Sequence, residues 1–142
     1  MGTGQVQRRI RIERIIVGSL IADFKARWPD VRCCVEPEMF HDDYCRSVFE
    51  TILELEAQGA EVDIVTVWLM RGGGHDEGIA LFDLSELNDF NSLKWNYDIE
   101  CKVYHRKKRD ITFADYVTQL IKNHAKYQDQ QDLRGQGTAP QP

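Results

Sequence analysis

Apolar residues recur along this chain at steps of three and four, and strict alternation of apolar and polar positions never persists long enough to specify a strand. Residues 1–7 carry no pattern and are expected to be disordered. Ile12, Ile15, Ile16, Leu20 and Phe24 form the first stripe and predict a helix from Arg8. Trp28-Pro29 is expected to close it, because the residue before a proline resists the α conformation. Asp30 to Val35 predicts a turn or two before Pro37. The next helix opens at Asp42 or Asp43, turns Val48, Ile52 and Leu55 inward with Phe49 and Leu53 beside them, and stops at Gly59. Asp63 caps another, with Ile64, Val67 and Trp68 inward, which Gly72-Gly73-Gly74 breaks. Ile79 to Leu87 predicts a fourth, ending at Asn88-Asp89.

The longest pattern starts at Asn91 or Ser92 and runs to about Tyr127. Ile99, Val103 and Tyr104 precede a polar interval, His105 to Asp110, and Phe113, Tyr116, Val117, Leu120 and Ile121 follow it. A helix with a bare middle and a second apolar face is expected to leave its own globule, so this second stripe is the candidate interface. Residues 128–142, rich in Gln, Gly and Pro, are expected to be disordered. The predicted fold is all-α: a compact orthogonal multi-helix bundle over residues 8–92, then one long C-terminal helix over 93–127.

Composition narrows the function. The net charge of −5 argues against a dedicated nucleic-acid binder, which would usually carry a basic excess. Cys33, Cys34, Cys45 and Cys101 form no C-x-x-C pair, and with no signal peptide they read as reduced thiols of a cytoplasmic protein. No apolar stretch reaches the ~18–20 residues that span a bilayer.

The near misses in chemistry are as informative. Gly73-x-x-x-x-Gly78 has the spacing of a phosphate-binding loop, but Ile79 and Ala80 stand where Lys and Ser or Thr are needed. Cys33, Cys34, His41 and Cys45 share a short window, yet adjacent cysteines present a tetrahedral metal poorly. His75-Asp76-Glu77 is expected in a glycine-flanked loop as solvated charge, without the fixed geometry acid–base catalysis needs. No catalytic residue, cofactor or metal is therefore expected. His105 to Arg109 is the one dense basic run; Arg106, Lys107, Lys108 and Arg109 are candidate phosphate contacts or simply a solvated surface.

With the helices placed, a family resemblance emerges. Glu13-Arg14-Ile15-Ile16-Val17-Gly18-Ser19-Leu20-Ile21 resembles the opening E-x-x-V-L-G-x-L-L of DnaB-type replicative helicase N-terminal domains. Glu38-Met39-Phe40 is similar to their D-F step, and Arg46-Ser47-Val48-Phe49 with Leu55 and Gly59 to their H-R-x-I-F…L…G. Val62-Asp63-Ile64-Val65-Thr66-Val67 resembles I-D-x-V-T-V, Leu84-x-x-Leu87 resembles Y-L-x-x-L, and Tyr97 to Arg109 follows Y-A-x-x-V…R loosely. Physically, Glu13, Gly18, Phe40, Leu55, Gly59 and Asp63 read as structural positions: close helix approach at Gly18, core area at Phe40, a cap at Asp63.

The resemblance implies a helical head followed by a helical hairpin that builds a hexamer collar, receives the helicase-binding domain of primase, and has no ATPase activity of its own. Cys45 departs from the family's usual His, and the second hairpin arm, linker and motor are not among these 142 residues. The expected role is a protein-interaction and assembly module of DNA replication, with primase or a replicative helicase as partner and self-association as a further expectation. The alternatives are a stand-alone copy, from a mobile element for instance, that competes for helicase or primase, and a weak nucleic-acid-binding helical protein.

Overall fold

The computed structural model describes residues 3–88, 95–98, 103–106 and 112–138, with side chains over 4–88 and 112–128. In chain order the elements are α1 (Thr3–Ala22), α2 (Phe24–Val31), a one-turn 3-10 helix (Pro37–Met39), α3 (Asp43–Ala57), α4 (Ile64–Met70), α5 (His75–Ser85), β1 (Trp95–Asp98), β2 (Val103–Arg106) and α6 (Phe113–Thr138). The fold is the predicted all-α bundle with a long C-terminal helix, interrupted by one antiparallel two-stranded ribbon.

The head is organised around α1, which touches all five other helices. Ile15, Ile16, Val17, Leu20 and Ile21 cover most of its circumference and are buried, as a helix apolar on nearly every side must be. Gly18 lies among them. A Cβ there would stand 2.6 Å from the carbonyl carbon of Leu84 and closer still to its oxygen, so the backbones of α1 and α5 meet directly. Phe40 and Phe49 fill the far side of the core with ring centroids 4.9 Å apart.

Local chemistry explains the element ends. Asp42 caps α3 by accepting from the Cys45 N–H at 3.0 Å. The 42 peptide is itself held by Glu13, whose Oε1 accepts the Asp42 N–H at 2.8 Å. At the other end, Gly59 N–H donates to the Glu56 carbonyl and Ala60 N–H to that of Leu55, the paired bonds of a Schellman stop, with Gly59 at φ 71°. Asp63 and Thr66 cap α4 reciprocally through N–H bonds of 2.8 and 2.9 Å.

Several elements differ from the sequence expectation. The first helix begins at Thr3 rather than Arg8 and breaks at Asp23, not at Trp28-Pro29. Pro29 sits inside α2; it forfeits one N–H bond, to the carbonyl of exposed Lys25, while Phe24 and Trp28 stack at 5.0 Å. His75-Asp76-Glu77 is not a loop but the first turn of α5, where Asp76 and Glu77 meet the positive end of the helix dipole.

The long helix does not start near residue 93. Residues 95–98 and 103–106 form the ribbon, pairing Trp95 with Arg106 and Tyr97 with Tyr104, a segment rich in strand-favouring aromatic and β-branched residues. The helix begins only at Phe113, because Thr112 and Asp115 form a reciprocal cap with N–H bonds of 2.9 and 3.2 Å. It then continues to Thr138, through part of the tail expected to be disordered.

Gly18→Ala measures the α1–α5 contact. Helix propensity alone favours alanine by about 1 kcal/mol, but the methyl has no room at Leu84. We expect a net loss of about 3 kcal/mol or more in urea unfolding, the upper range for overpacking; an unchanged or raised stability would contradict the contact.

Candidate interaction surface

The turn between α4 and α5 is short, glycine-rich and held by one arginine. Gly72 and Gly73 adopt φ of 107° and 66°, and Gly73 N–H closes back on the Trp68 carbonyl at 2.9 Å. Arg71 then reaches across to α3. Its guanidinium donates to Ser47 Oγ at 2.8 Å and Thr51 Oγ1 at 3.2 Å, forms an ion pair with Glu77 through Nε, and lies 5.3 Å from the Tyr44 ring centroid. Burial, together with the negative charge of Glu77, pushes the Tyr44 hydroxyl up to about 12.

Four large apolar side chains of this unit are more than half exposed. Val65 and Leu69 on α4 are 55 % and 61 % exposed, and Ile79 and Phe82 on α5 are 51 % and 56 % exposed. On each helix they lie one turn apart, so each pair forms a single stripe. An open groove of about 290 Å³ lies beside the α5 stripe, lined by Trp68, Gly74, His75, Gly78, Ile79 and Phe82. Trp68 is fixed there by its indole N–H, which donates to the Gly74 carbonyl at 2.7 Å. On the other side of α5 a second groove of about 320 Å³ runs against α1, between Ile10, Arg11 and Arg14 and Asp83 and Leu87.

The stripe expected to be the interface has a different fate. Phe113, Val117 and Leu120 are buried in the chain's own core where α6 lies on α1 and α2, and Tyr116 and Ile121 pack against that core half-buried. Helical period had identified an apolar face correctly, but its partner is α1 of the same molecule. Arg27 secures this docking from within: its Nε donates to Asn88 Oδ1 at 3.2 Å and its guanidinium lies 5.5 Å from the Phe113 ring centroid. Both ends of the excursion from α5 to α6 therefore converge on one buried side chain.

Of the basic candidates, Arg106 is the last residue of β2, while Lys107, Lys108 and Arg109 lie outside the described residues. Glu13, Phe40 and Leu55 are buried, and Gly18, Gly59 and Asp63 do the structural work described above. Cys33 and Cys34 are exposed free thiols; Cys45 is buried and free, with burial and the Asp42 carboxylate pushing its thiol far up. Among the described residues, no three His, Cys, Asp or Glu side chains converge as metal ligands. None of the described helices is long and apolar enough to cross a membrane.

The exposed α4–α5 stripes escaped the sequence reading, yet a signal was present. α4 is Ile-Val-Thr-Val-Trp-Leu-Met, apolar on both sides, although a helix that short at a bundle's edge buries only one. On α5, Ile79 and Phe82 fall opposite the buried Leu81 and Leu84.

The described residues thus form a small, largely helical domain with apolar side chains exposed on α4 and α5. Residues 5–93 match the family model of the DnaB-like helicase N terminal domain, and the chain belongs to that family. It is a helicase-associated domain of DNA replication, and the matched domain is non-catalytic. Neither the curated proteins nor the solved structures gave a match.

Glu13, at the opening of the matched motif, is a fully buried carboxylate. Arg9 Nε lies 3.3 Å from it. Burial nonetheless outweighs the Asp42 and His41 N–H bonds and the Arg9 charge, and raises its pKa above the ordinary 4.5. A raised carboxylate stabilises the fold below the unfolded pKa and loses that contribution as pH rises through the folded value. Glu13→Gln keeps an acceptor for the Asp42 N–H but cannot ionise. We therefore expect wild type to gain stability relative to the Gln variant as pH falls from 7 toward 4.5 in urea titrations; the reverse trend would mean the Arg9 ion pair dominates.

Proposed function

We propose that this domain is a non-catalytic interaction and assembly module of the replication machinery, docking the helicase-binding domain of primase or a replicative helicase. The observation that carries this reading is the pair of exposed apolar stripes, Val65–Leu69 on α4 and Ile79–Phe82 on α5, on a domain of the helicase family. Apolar groups grouped on adjacent helices and left in water mark an interaction surface more often than a bare one. The alternative of a copy that competes for helicase or primase uses the same surface and differs only in its effect on unwinding.

Calorimetric titration with the helicase-binding domain of primase from the same source tests it, with light scattering of the chain alone to read self-association. Saturable binding of about −8 kcal/mol, a micromolar affinity, is expected. No heat with primase and none with the full-length helicase would overturn the reading.

A second contact, weak binding of DNA through Arg106, Lys107, Lys108 and Arg109, is favoured by one observation. The run begins at the end of a two-stranded ribbon, a shape that the major groove of B-DNA admits. Four phosphate contacts would make affinity for a short duplex fall roughly a hundredfold between 50 and 200 mM salt. Salt-independent binding by fluorescence anisotropy, or none at 50 mM, would eliminate it.

A further inference from the structure

The charge of this protein is unevenly placed. Residues 59–87 hold six carboxylates (Glu61, Asp63, Asp76, Glu77, Asp83 and Glu86) against the single Arg71, a net of −5. That equals the net charge of the whole chain, so the other residues balance to zero. Arg71 is moreover spent on Glu77 and α3. Glu61, Asp76, Asp83 and Glu86 are exposed on the same unit as the apolar stripes. On the α1 side, Arg11 and Arg14 line the neighbouring groove with Asp83, so the exposed carboxylates left unbalanced on this unit are Glu61, Asp76 and Glu86.

We infer that the α4–α5 face receives a basic amphipathic helix, an inference that rests on the interaction-module reading and gives that partner its chemistry. Apolar anchors one turn apart on the incoming helix match the stripes of Val65–Leu69 and Ile79–Phe82 and enter the groove beside Trp68. Lysines and arginines on its flanks meet the exposed Asp76 and Glu86, which steer its approach. A second copy of this chain is the wrong occupant, because α5 against α5 sets carboxylates on carboxylates with no Lys or Arg on either helix. A Cβ at Gly78 would stand 3.1 Å from the Trp68 indole nitrogen, so glycine there makes room for the indole beside α5.

The full 142-residue chain is titrated, by fluorescence anisotropy, into a labelled 18-residue Leu/Lys amphipathic peptide and its Leu/Glu counterpart, and separately into the primase domain. Wild type is expected to bind the Leu/Lys peptide and not the Leu/Glu one. Phe82→Gln with Leu69→Gln, at exposed positions that leave the core intact, should weaken binding at least tenfold. Asp76→Asn with Glu86→Lys should weaken it about fivefold at low salt and little at high salt.

Failure to bind the Leu/Lys peptide, equal binding of both peptides, or binding untouched by both double variants would overturn the inference. If primase binds and neither double variant weakens it, the face is wrong although the function stands. If the Leu/Lys peptide binds with the expected sensitivities and primase does not, the face stands and the primase reading fails.

Discussion

The direct contact between the backbones of α1 and α5, made at Gly18 and Leu84, sets the geometry on which the rest of this domain depends. Helices normally keep 8–10 Å between axes because side chains interdigitate. Removing one side chain lets α5 settle against α1, and that choice fixes which of its sides faces out. Leu81 and Leu84 are spent on the core, so Ile79 and Phe82 can only point to solvent. The outer face is thus a consequence of the innermost contact, with the short α4 carried along by the Arg71 clamp and the glycine turn.

Charged side chains do much of the fastening in this small core. Glu13 ties α1 to the start of α3, Arg27 ties α2 to the end of α5 and the start of α6, and Arg71 ties the α4–α5 turn to α3. Arg9 adds a link from α1 to α6, its guanidinium 5.2 Å from the Tyr127 ring centroid. Each joins elements far apart in sequence, which apolar packing alone would specify less sharply. The cost is visible at Glu13, where burial raises the carboxyl's pKa despite three helpers. A helix end held by a buried carboxylate is worth that cost when the next element, α3, carries six buried residues of the core.

Surface charge follows a different logic. The carboxylates of the α4–α5 unit perform little structural work beyond Asp63 at its cap and Glu77 at Arg71. Concentrated beside four exposed apolar side chains, they keep like surfaces apart while leaving the face open to a partner of opposite sign.

The sequence by itself determined the local structure: the caps at Asp42 and Asp63, the stop at Gly59, the core stripe of α3, and the family motif from Glu13 to Ile21. These are decided within a few residues, by hydrogen bonds between a side chain and its own helix end or by the spacing of apolar groups. Even the start of α6 was legible, in Thr112-x-x-Asp115, a signal outweighed by the apolar run before it. Only the tertiary structure decided where each apolar face went. Phe113, Val117 and Leu120 had the spacing of an outward stripe and are buried against α1, while Ile79 and Phe82 had the composition of a core and lie in water. Periodicity reports that a face is apolar; what covers it depends on which helices approach, and that was settled by the missing side chain at Gly18 and the reach of Arg27 between two distant elements.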